Sequence, residues 1–288
     1  MSIPDLHSHS TASDGTLTPS RLVRRAAAAG VEVFALTDHD TTAGLAEAQR
    51  SAQACGLVLV PGVELSVTWA ARTIHIVGLH VDPQCARLGA GLERILAYRE
   101  WRAEEIGRRL AGVGILDAYA GAKALSQGAL VGRTHFARFL VEQGHARSVN
   151  EVFKRFLVRG KPGHVPSQWA SLEEALGWIR AAGGQAVIAH PARYGLTRAK
   201  LRQLIGAFRE LGGVGIEVVS GSHSRDDAFV FARHARDEGL LASAGSDYHG
   251  PEEPWIELGR LPPLPDGCAP IWADWALRSP RPRRSAVA

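Results

Sequence analysis

Histidine, aspartate and glutamate side chains recur along the chain at spacings that suit divalent metal ions. His7 and His9 stand two residues apart, so in an extended segment both imidazoles point to the same side. The further candidates for metal ligation are Asp14, His39, Glu64, His75, His190, Asp247 and His249. Imidazole and carboxylate ligands without a thiolate suit Mn²⁺, Zn²⁺ or Fe²⁺.

The number of these side chains favours a metal cluster over scattered structural residues. A single histidine is usually a core or surface residue. Burying many ionisable groups together costs several kcal/mol per charge unless a cation compensates them. A carboxylate such as Glu64 can bridge two ions, which then hold a hydroxide nucleophile and neutralise phosphate oxygens. The set therefore predicts a cluster of divalent ions and hydrolytic chemistry, and it leaves the identity of the metal open.

Seven short runs rich in Val, Ile and Leu must position these side chains. Each run is followed by a polar turn and a helix-patterned stretch, which predicts an α/β fold of buried parallel strands with crossover helices. The runs are residues 3–6, 33–37, 58–64, 74–80, 186–190, 215–219 and 241–246. A candidate ligand lies in or just after every run except the sixth, mostly at the carboxyl end. The carboxyl ends of the strands form the active-site face of an α/β barrel.

The alternation of strand and helix patterns stops in the middle of the chain. Residues 83–167 keep helical periodicity without a strand pattern, which predicts a helical insertion between barrel segments 1–82 and 168–270. An insertion after a barrel strand could cover the metal face as a substrate lid. Its candidate substrate-binding residues are Arg99, Arg102, Arg133, Thr134, His135 and Lys161. The alternative for the arginines is a solvated helix face.

Composition limits the class of protein. The 288 residues are 45% hydrophobic and carry a net charge of +4, which suits one main domain and anionic substrates. Residues 278–288 contain several arginines, prolines and serines, and we expect a disordered tail. Three widely spaced cysteines form no zinc or disulfide pattern. No leader pattern or long apolar segment is present, so we expect a cytoplasmic protein that does not enter a membrane.

The motifs DLHSHS, LTDHD, PGVE, HIVGL, AHP and GSDYH, in this order over residues 5–249, resemble the signature of the PHP (polymerase and histidinol phosphatase) family. The resemblance implies a distorted, TIM-like (β/α)₇ barrel and a phosphoesterase site with two or three metals. It implies one ion on His7, His9, Glu64 and Asp247, a second on Glu64, His75 and His190, and a third on Asp14, His39 and His249. Asp14 departs from members that have histidine at this place.

Within that family, the segments DGTLTP, GRTHFAR and RGKPGHVP are similar to those of stand-alone nucleotide phosphoesterases. The resemblance implies hydrolysis of the 3′-phosphate of nucleoside 3′,5′-bisphosphates. We expect a protonated histidine to assist the leaving group, and the candidates are His190 and His249 if metal ions do not occupy them fully. The alternatives on the same metal site are a 5′-to-3′ exonuclease acting on short RNA and a histidinol-phosphate phosphatase. A metal-dependent amidohydrolase would usually carry a lysine where Glu64 stands. Outside enzymes, the alternative is a catalytically silent module that binds metal and nucleotide.

Overall fold

The computed structural model describes residues 4–126, 130–252 and 257–275. The chain divides into two compact units: residues up to 89 together with those from 170 onward form one, and residues 90–169 form the other. The expected tail at 278–288 lies outside the described residues. None of the helices described is both long enough and apolar enough to cross a lipid bilayer.

The first unit contains a seven-stranded sheet. The strands are β1 (Pro4–Asp5), β2 (Val33–Leu36), β3 (Val58–Trp69), β4 (Arg72–Leu79), β5 (Gln185–Ile188), β6 (Gly215–Ser220) and β7 (Leu241–Gly245). They pair in chain order. The first and last strands also meet, because the Leu6 N–H donates to the Ala244 carbonyl at 2.9 Å and Ser8 bridges Tyr248. The predicted α/β barrel of seven strands is confirmed.

The expectation that all the strands are parallel is wrong for β4. β3 continues beyond position 64 and forms an antiparallel hairpin with β4, in which Trp69 pairs with Arg72. Ala70 and Ala71 between them have φ of 47° and 59°, as a type I′ turn requires at both central residues. β4 is also antiparallel to β5. The beginning of β4 therefore lies at the carboxyl ends of the parallel strands, and it places His75 there.

The helices are α1 (Pro19–Ala28), α2 (Leu45–Cys55), α3 (Ala86–Ala111), α4 (Ala118–Leu125), α5 (Arg133–Glu142), α6 (Val149–Val152), α7 (Leu172–Ala181), α8 (Arg198–Glu210) and α9 (Arg225–Asp237). Local signals set their ends. The Thr18 hydroxyl accepts a hydrogen bond from the Arg21 N–H and starts α1. The Thr41 hydroxyl accepts a hydrogen bond from the Ala43 N–H in the turn that precedes α2, and α2 begins at Leu45.

Apolar side chains fill the barrel at the end opposite the candidate ligands. Leu6, Val77 and Val187 pack there with Ile271 from the C-terminal segment. The Ile271 N–H donates to the carbonyl of Ala242, near the start of β7. The carboxyl ends of the strands are thereby left to the polar site.

The second unit has a hydrophobic core of its own. The unit consists of most of α3, then α4, α5, α6 and a π-helical turn at Phe153–Leu157. Leu110, Phe136, Leu140 and Leu157 are buried together in this core. The described residues of this unit are mostly helical, and residues 127–129 lie outside them.

Candidate metal centre

The carboxylate of Glu64, on β3, is fully buried and surrounded by imidazoles. Its Oε1 lies 2.9 Å from Nδ1 of His75 and 2.9 Å from Nε2 of His190. Its Oε2 lies 2.8 Å from Nδ1 of His39 and 3.3 Å from Nε2 of His9. One negative charge thus faces several nitrogen donors in a water-poor site, which is chemistry suited to a cation.

One group of side chains joins His7, His9, Glu64 and Asp247, all buried, with one ligand atom of each within 4.8 Å of the others. The Nε2 atoms of His7 and His9 are 3.1 Å apart. Asp247 Oδ1 lies 3.2 Å from Nε2 of His9 and 3.5 Å from Nε2 of His7. Ring nitrogens that face each other beside two carboxylates fit a divalent ion between them. The group has the composition expected for the first ion.

Two further groups of potential ligands adjoin the first. One contains His39, Glu64 and His75; the other contains His9, Asp14, His39 and His249. They differ from the expected sets in two respects. In the second set, His39 takes the place expected for His190, although Nε2 of His190 lies 2.9 Å from Oε1 of Glu64. In the third set, His9 is an additional member. The three groups share members, so the ions they could hold would be close neighbours.

Asp14 reaches the imidazoles although it replaces a histidine of the family pattern. Its Oδ1 lies 3.3 Å from Nε2 of His249, and its Oδ2 lies 3.8 Å from Nε2 of His39. Asp38 fixes the segment that carries Asp14. The Asp38 carboxylate accepts hydrogen bonds of 2.7 Å from the N–H and the hydroxyl of Ser10 and from the Ser13 hydroxyl. Asp14 therefore lies within the group of potential ligands that also contains His9, His39 and His249.

Sequence reasoning missed two charged side chains of the site. Glu217 lies in β6, the strand to which no ligand was assigned, and its Oε1 is 2.6 Å from Nδ1 of His7. Arg193 donates from Nη1 to Asp247 Oδ2 at 2.6 Å. The signal for Glu217 was present, since it is the acidic residue inside an otherwise apolar run. Arg193 follows the AHP motif in a 3₁₀ turn and has no comparable signal.

Charges within the site shift the pKa values of its members strongly. Burial by itself lowers the pKa of His7, but the carboxylates of Glu217 and Glu64 raise it well above its ordinary value. Burial also lowers the pKa of His249, and the carboxylate of Asp14 outweighs it and raises that pKa to about 10. Burial raises the pKa of the Glu64 carboxyl, but the surrounding imidazoles hold it well below its usual range. The metal-free site thus holds an ionised Glu64 beside protonated His7 and His249, whereas burial lowers the pKa of His9 to about 3 and keeps that imidazole neutral.

Metal binding is expected to release protons. His7 and His249 are protonated at pH 7 in the metal-free protein, because pH 7 lies below their raised pKa values. A ligating nitrogen must lose its proton, so the apparent affinity should rise up to about tenfold per pH unit for each proton released. Calorimetric titration of Mn²⁺ in buffers of different ionisation enthalpy measures the number of protons. An affinity that stays constant between pH 6 and 8 would contradict the protonated state of these imidazoles.

The second unit contains a cluster of cations formed by Arg99, Arg102, Arg133 and His164. Arg102 is 7% exposed, and among the described residues its Nε atom has no hydrogen-bond partner. Burial lowers the pKa of Arg102 to about 10, and the charge of Arg133 adds to this effect. The guanidinium groups of Arg99 and Arg102 lie 4.9 and 5.4 Å from the ring of Trp169. Neighbouring cations, one of them buried with a lowered pKa, form a favourable place for an anion.

The other predicted substrate residues of this unit have different surroundings. His135 is buried, and its Nδ1 accepts a hydrogen bond of 3.0 Å from the Gly132 N–H at the start of α5. Thr134 is half-buried in the same first turn, and Lys161 is exposed. The structure therefore groups the three arginines, whereas His135 also has a capping role.

Comparison with known families gives one match that covers more than half of the chain. The model of the PHP domain matches residues 5–157. The chain is 49% identical to the 3′,5′-nucleoside bisphosphate phosphatase of Chromobacterium violaceum over 96% of this chain and 98% of that protein. It is 47% identical to the 5′-3′ exoribonuclease Rnm of Escherichia coli (strain K12), over 95% of this chain and 94% of that protein.

Two solved structures have the same architecture. A structure from Chromobacterium violaceum, described as an amidohydrolase with bound sulfate and no metal, superposes with a TM-score of 0.89 at 49% identity. It covers 94% of this chain and 95% of its own. A structure from Bifidobacterium adolescentis, described as a metal-dependent phosphoesterase, has a TM-score of 0.78 at 28% identity and covers 89% of this chain and 91% of its own. The fold is thus shared with these proteins.

Proposed function

Because the chain belongs to the PHP domain family, we propose that it is a metal-dependent phosphoesterase that removes the 3′-phosphate from nucleoside 3′,5′-bisphosphates. The observation that carries the proposal is the buried group of His7, His9, Glu64 and Asp247, whose ligand atoms lie within 4.8 Å of one another. The relative named 3′,5′-nucleoside bisphosphate phosphatase, which is similar over nearly the whole chain, supports the substrate class. The product would be a 5′-nucleotide such as AMP.

The proposed ligands of two or three divalent ions are His7, His9, Asp14, His39, Glu64, His75, His190, Asp247 and His249. Mn²⁺ is the ion we expect, with Zn²⁺ or Fe²⁺ as alternatives on the same nitrogen and oxygen donors. When bound, such ions activate water and neutralise phosphate oxygens. The donor set fits them, since the groups of potential ligands contain histidines and carboxylates but no cysteine.

The chain's own residues would handle the proton that the leaving 3′-oxygen requires. We assign this role to whichever of His190 and His249 does not bind a metal ion, because a nitrogen that ligates a metal carries no proton to donate. The Nδ1 of His249 lies 2.8 Å from the carbonyl oxygen of Asp247 and donates to it, so its Nε2 is the nitrogen left to face the site. The Nε2 of His190 faces Glu64 in the same way. A positioned acid of this kind accelerates departure of a poor leaving group by about 10²–10⁴-fold.

The helical unit would supply substrate recognition. We propose that Arg99, Arg102 and Arg133 bind a phosphate of the nucleotide, since planar guanidinium groups match phosphate oxygens in pairs. Thr134, His135 and Lys161 are proposed to assist them. The half-buried ring of Trp169, which already stacks with two of the arginines, offers an aromatic face for a base.

A second candidate function is 5′-to-3′ exoribonuclease activity on short RNA, which the 47% identical Escherichia coli relative favours. The same site would also serve a histidinol-phosphate phosphatase, or a catalytically silent module that binds metal and nucleotide. Amidohydrolase activity is disfavoured, because the buried carboxylate of Glu64 stands where such enzymes usually carry a lysine.

We propose the cytoplasm as the place of the reaction. The cysteines Cys55, Cys85 and Cys268 are free thiols in the structure. Unpaired thiols are compatible with a reducing compartment.

Phosphate release by the Mn²⁺-loaded protein tests the proposed reaction. The substrates are adenosine 3′,5′-bisphosphate, AMP, histidinol phosphate and a short 5′-phosphorylated RNA, and the control is His7→Ala. Preferential release from the bisphosphate, lost in the control, is the expected result. Nucleotide release from RNA alone would assign the exoribonuclease reaction. Binding of metal and nucleotide without hydrolysis of any substrate would favour the catalytically silent module.

A further inference from the structure

Glu217 occupies an unusual place for an acidic side chain. It lies within β6 and is 1% exposed. The pairing of β6 with β7 shifts register between Glu217 and Val219, so one extra residue bulges at this point. Such bulges re-aim a neighbouring side chain. The carboxylate points to the polar end of the barrel, toward residues of two other strands.

Both carboxylate oxygens of Glu217 have short hydrogen bonds to residues of the metal centre. Oε1 accepts from Nδ1 of His7 at 2.6 Å, and Oε2 accepts from the backbone N–H of His190 at 2.5 Å. His190 has a φ of 25°, a strained value for a non-glycine residue. The contact to its N–H therefore stabilises the backbone that carries this imidazole.

Little space is left for either partner to move. A Cβ atom added at Gly245, on β7, would overlap Cβ of His7 and would lie 3.1 Å from Oε1 of Glu217. The backbone of β7 therefore packs directly against the His7–Glu217 pair. The ring of His7 is held with Nε2 toward His9 and Nδ1 toward Glu217.

We propose that Glu217 is a positioning residue that fixes the tautomer of His7, so that Nδ1 carries the ring proton and Nε2 is free to bind a metal ion. A carboxylate only accepts hydrogen bonds, so it selects the Nδ1–H form. Carboxylates that hold a ligating imidazole in this way also raise its basicity toward the metal. The inference rests on the proposed metal-dependent function, and it assigns a role to a strand that supplies no ligand of its own.

The substitution Glu217→Gln separates this role from simple packing. The side chains are nearly isosteric, but glutamine has one oxygen and one NH₂ group. The His190 N–H can only donate, so the glutamine oxygen must face it, and the NH₂ group then points at Nδ1 of His7. The ring proton must move to Nε2, which is the atom that faces His9 and the metal position.

The experiment compares Mn²⁺ binding to the wild type, Glu217→Gln and the exposed control Glu210→Gln by calorimetric titration of the metal-free proteins. We expect Glu217→Gln to lower the affinity of one site by about 10–100-fold, with the control unchanged. A wild-type affinity in Glu217→Gln would overturn the proposal, because a packing role alone is preserved by glutamine. A wild type that binds no metal would overturn the proposed function as well.

A measurement on the wild type keeps the inference testable if Glu217→Gln does not fold. Long-range ¹H–¹⁵N spectra of the histidine rings in the Zn²⁺-loaded protein report which nitrogen carries the proton. We expect the His7 ring to show a protonated Nδ1 and a metal-bound Nε2. A protonated Nε2, or metal binding through Nδ1, would overturn the proposal.

Discussion

Replacement of Glu64 by glutamine is expected to reduce phosphate release by roughly three orders of magnitude or more. Its carboxylate belongs to two of the three groups of potential ligands and lies within 3.3 Å of His7, His9 and further imidazoles. An amide removes the negative charge and directs N–H donors toward cation positions. Metal ions stabilise transition-state charge by several kcal/mol, and each 1.36 kcal/mol is about tenfold in rate.

Metal content distinguishes this cause from misfolding. Glu64→Gln should retain the circular dichroism of the wild type but bind fewer Mn²⁺ ions per chain, whereas the exposed Glu210→Gln should match the wild type in both activity and metal content. Retention of activity within a few-fold of the wild type would contradict the central position of Glu64 in the site.

Substitution of Arg102 by methionine is expected to reduce kcat/KM for the bisphosphate by about 10–100-fold without loss of stability, since a hydrogen bond to a charged group contributes about 1.5–3 kcal/mol. The guanidinium is buried, and the neighbouring charge of Arg133 adds to the burial in lowering its pKa. The fold therefore disfavours this charge, and methionine keeps the apolar stem. Steady-state kinetics and thermal unfolding of the same preparation measure both effects.

The matched control is Arg108→Met on the same helix. Arg108 is 73% exposed on its side chain and paired with Glu105, so its loss should change neither quantity by much. If Arg102→Met lowered the melting temperature and left kcat/KM for the bisphosphate unchanged, the buried arginine would support the fold and would not bind substrate.

The positions of the candidate ligands could be predicted from sequence because strand ends carry the chemistry of a barrel. The runs before His9, His39, His190 and Asp247 are short and apolar, and their ends are marked by an abrupt change to ionisable residues. Parallel strands bring such ends together without any knowledge of the intervening helices. His75 stands near the start of its run and not at its end, and its place in the site is explained by the antiparallel direction of β4.

The hairpin and the contact between Glu217 and His7 could not be predicted, for physical reasons. The turn between β3 and β4 uses Ala70 and Ala71 at positive φ, where asparagine and glycine are the usual signals. Periodicity does not report strand direction, so the sequence predicts a parallel β4. Glu217 lies inside its strand and depends on a bulge to point at His7, and bulges have no reliable signature in a single sequence.

The most direct test of the proposed metal centre is anomalous diffraction from crystals of the Mn²⁺-loaded protein, collected at the manganese edge. We expect two or three strong peaks at the carboxyl ends of the strands. One of them would lie about 2.0–2.2 Å from ligand atoms of His7, His9, Glu64 and Asp247. Peaks at other places, or their absence in a preparation that hydrolyses the bisphosphate at full rate, would contradict the proposed centre.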